Sequence, residues 1–136
     1  MISRKVLDSF AFIAFVDNEP GADKVAELIR HARDSGKPLY LCVVNWGEIY
    51  YIVRRASGKE TADKAMQMIE TLPIEVVPVD REITRVAAEI KSEHRLSYAD
   101  CFAVALAKAR DAELVTGDEE FRSCAGKVRG IVWLKK

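Results

Sequence analysis

Five short apolar runs punctuate the chain, and the length of the segments between them dictates how they can pair. KVLD at 5–8, LYLCVV at 39–44, IEVVPV at 74–79, ELVTGD at 113–118 and IVWL at 131–134 have the length and the bulky or branched side chains of buried strands. The first four are separated by helical segments. SFAFIAFV suits a short buried helix, and after a break at DNEPG (17–21) Val25, Leu28, Ile29 and Ala32 recur at helical spacing until SGKP at 35–38. NWGEIYYIVRRA puts Ile49, Ile52, Val53 and Ala56 on one face, and Ala62, Ala65, Met66 and Ile69 mark a helix over about 60–71. Pro73 ends that helix, and further helices follow at 81–93 and 96–109. A tight hairpin needs only two residues, whereas connections of a dozen or more belong to parallel strands with helices packed on both faces. The pattern therefore predicts an α/β chain with a mainly parallel five-stranded sheet, the last connection alone being short enough to leave its sense open. Pro78, which cannot donate to a ladder, is tolerable only near an edge or an end.

At 136 residues, with no repeat, low-complexity segment or linker, the sequence predicts one domain over 1–136. Lys plus Arg balances Asp plus Glu at 21 each, so no strong basic field gathers nucleic acid from a distance, and any such contact must be local. Cys42, Cys101 and Cys124 are odd in number and form no C-x-x-C pair, which predicts reduced core thiols in a cytoplasmic protein. Arg4, Lys5 and FAFIAFV superficially resemble a signal peptide, but Asp8 interrupts the approach and DNEP follows without a small-residue cleavage pattern. No run reaches transmembrane length, so no membrane association is expected.

In a parallel α/β sheet the C-termini of strands and the N-termini of helices gather at one edge, where ligands bind. Asp8 ends the first strand, Glu48 lies in the first turn after the second, Asp100 opens its helix and Asp118 ends the fourth strand, so four acids share that edge. Capping explains each of them separately: Ser97 with Asp100 and Asn45 with Glu48 fit cap-like patterns, and Asp8 or Asp118 can cap the segment after it. Against capping alone stand the apolar flanks KVLDSFAF, EIYYI, ADCFAVA and ELVTGD. Asp100 shares its helix face with Ala103, Val104 and Ala107, which points it inward or along a cleft. Buried like charges persist only with a cation or protons between them. Carboxylates without His or Cys partners favour hard ions, so Mg²⁺ is implied, with Mn²⁺ able to substitute. His31 and His94 form no ligand spacing.

The ordered set VLDS, NWGE, LSYAD with its small-residue helix, and LVTGDEEF resembles the PIN-domain family, and most closely its VapC-like ribonuclease toxins, over nearly the whole chain. The resemblance implies a three-layer α/β/α sandwich and a Mg²⁺-dependent endoribonuclease acting on RNA phosphodiester bonds. It also implies a toxin with a cognate antitoxin partner and a homodimer. Asp8, Glu48, Asp100 and Asp118 match the family's catalytic, metal-holding acids, and Ser9, Asn45 and Thr116 match the polar residues beside them. Phe10 departs from the small polar residue usual at its place. Arg54, Arg55 and Arg122 are candidates to offset phosphate charge; Glu119 or Glu120 can join the acidic cluster, though both are expected to be solvated.

Two other readings accommodate the same acids. A housekeeping PIN-domain RNA-processing nuclease needs no antitoxin; a small antitoxin reading frame directly upstream would favour the toxin. A non-catalytic receiver-like Mg²⁺-binding module also carries acids at a sheet edge. Such modules typically pair two adjacent acids after the first strand and place a lysine near the last, whereas Asp8 has no acidic neighbour and IVWL has lysines only beyond it.

Overall fold

A computed structural model describes residues 4–134 of the chain. Five strands, β1 (Lys5–Leu7), β2 (Leu39–Cys42), β3 (Ile74–Val77), β4 (Glu113–Thr116) and β5 (Gly130–Trp133), form one sheet in the order β3-β2-β1-β4-β5. Every neighbouring pair is parallel, including β4 with β5, where Glu113 lies opposite Gly130. The twelve residues before the IVWL run thus suffice for a crossover.

Six α-helices cover the sheet: α1 (Ser9–Val16), α2 (Ala22–Ser35), α3 (Val43–Ser57), α4 (Lys59–Thr71), α5 (Arg81–Glu93) and α6 (Tyr98–Ala109). A 3₁₀ run, Glu119–Lys127, joins β4 to β5. Alternation along the strands divides the core in two. Val6 and Leu114 face a layer built on α5 and α6, with Ile90, Leu96 and Leu106. Their neighbours Leu7 and Val115 face a layer supplied by α1 to α4, with Phe12, Val25, Ile49 and Ile69. α6 is apolar all round because it is the most enclosed helix, buried from Cys101 through Ala107. Burial of a side chain such as Phe12, at 0% exposure, makes truncation to alanine cost about 3–5 kcal/mol.

Several elements differ from the sequence reading, most clearly two strand ends and a 3₁₀ run. The LYLCVV run is strand only to Cys42, and Val43 and Val44 already belong to α3. Val44 packs on the core from the helix as it would from a strand, so apolarity alone does not mark where the period changes. IEVVPV ends at Val77, with Pro78 just beyond an edge strand. The 3₁₀ run has no counterpart in the sequence pattern; Phe121 and Cys124, three residues apart, are its buried pair, as the three-residue turn requires.

The strand order reverses its sense at β1, which pairs with β2 on one side and β4 on the other. Such a switch point splays the helices apart and leaves a crevice outside the strand C-termini. Asp8 and Asp118 sit on either side of it.

Candidate active site

Asp8 follows β1 directly, and it caps α1. Its backbone is extended, and Oδ1 accepts the Ala11 N–H at 2.8 Å. Thr116, the last residue of β4, donates its hydroxyl to Asp8 Oδ2. The same Thr116 oxygen accepts the Asp118 N–H at 3.0 Å. One hydroxyl therefore fixes the carboxylate after β1 and the backbone of the acid after β4. Asp8 and Thr116 are only 1% and 0% exposed.

Asp118 caps the 3₁₀ run through the Glu120 N–H, at 2.9 Å. Capping is thus real at Asp8 and Asp118; it uses one oxygen of each carboxylate, and the second oxygen of Asp8 takes the Thr116 hydroxyl. At α6 the cap is Ser97, whose oxygen accepts the Asp100 N–H at 3.1 Å. The Asp100 carboxylate points toward Asp118 and Glu120, and oxygens from these three residues lie within 4.8 Å of one another.

α3 begins at Val43 with no side-chain cap, so Asn45 and Glu48 are not a capping pair. Asn45 is fully buried and donates to the Ala99 carbonyl at 3.1 Å and to Glu48 Oε1 at 3.4 Å, tying α3 to the start of α6. Its own Oδ1 is buried with no hydrogen-bond partner among the described residues. Ser9 donates to Glu48 Oε1 at 2.6 Å, so α1 also holds this acid in place.

The electrostatics reflect the crowding. Burial pushes the Asp8 carboxyl up to about 7, against the hydrogen bonds from Thr116 and Ala11 and with the repulsion of Asp100 and Asp118. Burial likewise raises Asp100 to about 6, opposed by Ser97 and reinforced by Glu48, Asp118 and Glu120.

Other residues singled out in the sequence fall at varying distances from this cluster. Glu120 is exposed as expected, yet it belongs to the group; an acid two residues beyond an edge Asp, carried inward by a tight turn, is the signal that marks it. Glu119 instead pairs with Arg122 at 2.6 Å, and that guanidinium lies 4.8 Å from the Trp133 ring centroid. Arg54 and Arg55 are exposed at the end of α3, about 9–10 Å along the axis from Glu48, with Arg55 over the Tyr51 ring at 5.5 Å. The His94 Nδ1 lies 3.2 Å from Ser123 Oγ, and His31 is exposed on α2.

The family model for the PIN domain matches residues 5–127, a span that contains every acid of this cluster. The chain belongs to the PIN-domain family. Solved structures with the same fold include VapBC2 from Rickettsia felis bound to a DNA fragment from its promoter (TM-score 0.78, 15% identity, 96% of this chain and 98% of that one). Another is VapC20 from Mycobacterium tuberculosis, a sarcin-ricin loop cleaving toxin (0.71, 16%, 97% and 99%). A third is a toxin-antitoxin complex from Klebsiella pneumoniae (0.64, 15%, 94% and 95%). No curated protein matches this PIN domain by sequence.

The donor set of this PIN domain suits a divalent cation. All the oxygens are hard donors, and the 4.8 Å spread across Asp100, Asp118 and Glu120 is near the roughly 4 Å between opposite ligands of an octahedral Mg²⁺. Burial first, and the repulsion of neighbouring acids after it, raises the affinity of Asp8 and Asp100 for protons, and a cation among them would offset both. No helix among the described residues is long and apolar enough to cross a membrane.

Proposed function

We propose that this PIN domain is a Mg²⁺-dependent endoribonuclease and the toxin of a toxin–antitoxin pair, with Mn²⁺ able to replace Mg²⁺. The observation that carries the reading is the meeting of Asp100, Asp118 and Glu120 at the switch point of a parallel sheet, with Asp8 and Glu48 close enough to repel Asp100. Asp8, Glu48, Asp100 and Asp118 are the catalytic acids, with Glu120 as a fifth carboxylate at the rim. Bound among them, Mg²⁺ supplies the positive charge that offsets the phosphate and makes water nucleophilic near neutral pH.

The chain's own residues do the positioning. Thr116 and the Ala11 N–H hold both oxygens of Asp8, Ser9 and Asn45 aim Glu48, and the first turn of α6 aims Asp100. Such outer contacts orient ligands and typically matter 10- to 100-fold in metal affinity. Arg54 and Arg55 remain candidates for RNA phosphates farther along the strand, about 9–10 Å down α3 from Glu48. The three free, buried cysteines fit the reducing cytoplasm. The toxin assignment follows the VapC-type neighbours and brings with it a homodimer and an antitoxin, whose natural mode of inhibition is a segment over the acidic edge with an arginine among the carboxylates.

Incubation with RNA tests the reading. Cleavage is expected with Mg²⁺ or Mn²⁺, to cease in EDTA, and not to return with Zn²⁺, since every donor is a hard oxygen. Undiminished cleavage in EDTA would contradict it.

A further inference from the structure

Phe10, the second residue of α1, is 40% exposed, although Ala11, Phe12 and Ala14 of the same helix are buried. Three other large hydrophobic residues are comparably exposed: Tyr51, Met68 and Tyr98. Tyr51 and Tyr98 pack along their own helices, against Arg55 and Phe102. Phe10 instead packs across the chain on Gly117, so closely that a Cβ there would lie 2.4 Å from Phe10 Cε1. Gly117 separates Thr116 from Asp118, so the ring borders the acidic cluster. The cations on the neighbouring 3₁₀ run are engaged elsewhere, Arg122 by Glu119 and Trp133 and Lys127 by Glu93. A strand of RNA at this edge therefore meets repelling carboxylates and two exposed aromatic rings, Phe10 and Tyr98, of which Tyr98 is engaged edge-on by Phe102.

Resting on the nuclease reading above, we propose that Phe10 is the platform on which the nucleobase next to the scissile phosphate stacks. An aromatic ring attracts a base without charge and accepts any of the four, which suits a site whose carboxylates otherwise repel the strand. The contact with Gly117 fixes the ring's place relative to Asp118, so the stacked base sets the register of the phosphate over the acids.

The test uses a short RNA that the protein cuts at one bond, together with the same RNA made abasic beside that bond. Phe10→Ala is expected to raise KM for the intact RNA about 5- to 150-fold with a smaller change in kcat, and Phe10→Trp to restore it. On the abasic RNA, wild type and Phe10→Ala should be alike, because the partner of the ring is gone. With 5-iodouridine at that position, irradiation should join the RNA to Phe10. Thermal midpoints of both variants report whether either fails to fold, and Gly117→Ala, whose Cβ forces the whole rigid ring to move, is expected to raise KM on the intact RNA in the same way. A wild type that cuts RNA while Phe10→Ala matches its KM would overturn the stacking role alone, and so would a penalty that persists on abasic RNA. A wild type that cuts no RNA with any divalent ion would overturn the nuclease reading and the stacking role together.

Discussion

Replacing Asp8 by Asn is expected to stabilise the metal-free protein at alkaline pH, although it removes a hydrogen-bonded, helix-capping carboxylate. In the unfolded chain Asp8 ionises near 3.8, and in the fold at about 7. Between those values the folded state keeps a proton that the unfolded state has released, so stability falls as pH rises through the window and stays low above it. Three pH units at 1.36 kcal/mol each give an upper bound of about 4 kcal/mol. Part of the shift comes from Asp100 and Asp118, which are partly solvated, so about 2–4 kcal/mol is the working range. Asn caps helices about as well as Asp, can accept from Ala11 and can donate to Thr116; the charge it lacks at the helix N-terminus costs about 0.3–1 kcal/mol. The net expectation at pH 8 in EDTA is a gain of about 1–3 kcal/mol, or about 3–10 °C in midpoint. Near pH 4 the gain should vanish or reverse. Thermal unfolding followed by circular dichroism at pH 4, 6 and 8 reads this directly, and Mg²⁺ at pH 8 should raise wild type more than the variant. A variant less stable by the same margin at every pH would show that Asp8 is only a cap.

Thr116→Val leaves the Asp118 N–H and the Asp8 carboxylate without their shared partner, so chemical denaturation should show a loss of about 1–3 kcal/mol; a loss under about 0.5 kcal/mol would refute the bridging role. Glu120→Gln, at an exposed position, should leave stability within about 0.5 kcal/mol while weakening Mg²⁺ binding in calorimetry, whereas unchanged binding would remove Glu120 from the metal site. A bound antitoxin should slow hydrogen exchange over residues 117–121, and an edge that exchanges as fast in the complex would contradict inhibition there.

The layers and the parallel sheet were legible because period and connection length are local properties. LYLCVV and KVLD announce strands, and the helical stretches between them leave few topologies. Strand order is a different matter, since nothing in ELVTGD says that β4 pairs with β1. That pairing brings Thr116 beside Asp8, with Asp118 two residues further on, and makes the crevice. The edge positions of the four acids were legible from the strand and helix ends, whereas the sequence offered Glu119 and Glu120 alike as additions to the cluster, because the choice between them depends on a 3₁₀ turn that EEFRSCAGK does not advertise. The dual use of Thr116 was equally hidden: a threonine at a strand end is ordinary until the strand beside it ends in an aspartate. Phe10 could be seen to depart from the family's pattern, but its seat on Gly117 is visible only in three dimensions.

The central claim is that the acidic edge is a metal-dependent catalytic centre, and a Mn²⁺ titration in which bound ion is read by electron paramagnetic resonance and RNA cleavage in the same samples tests it most directly. Occupancy and cleavage should rise with one midpoint in the wild type, and both should collapse in Asp118→Asn. Cleavage at full rate before Mn²⁺ binds, or an Asp118→Asn protein that holds Mn²⁺ and cuts RNA like the wild type, would contradict the account.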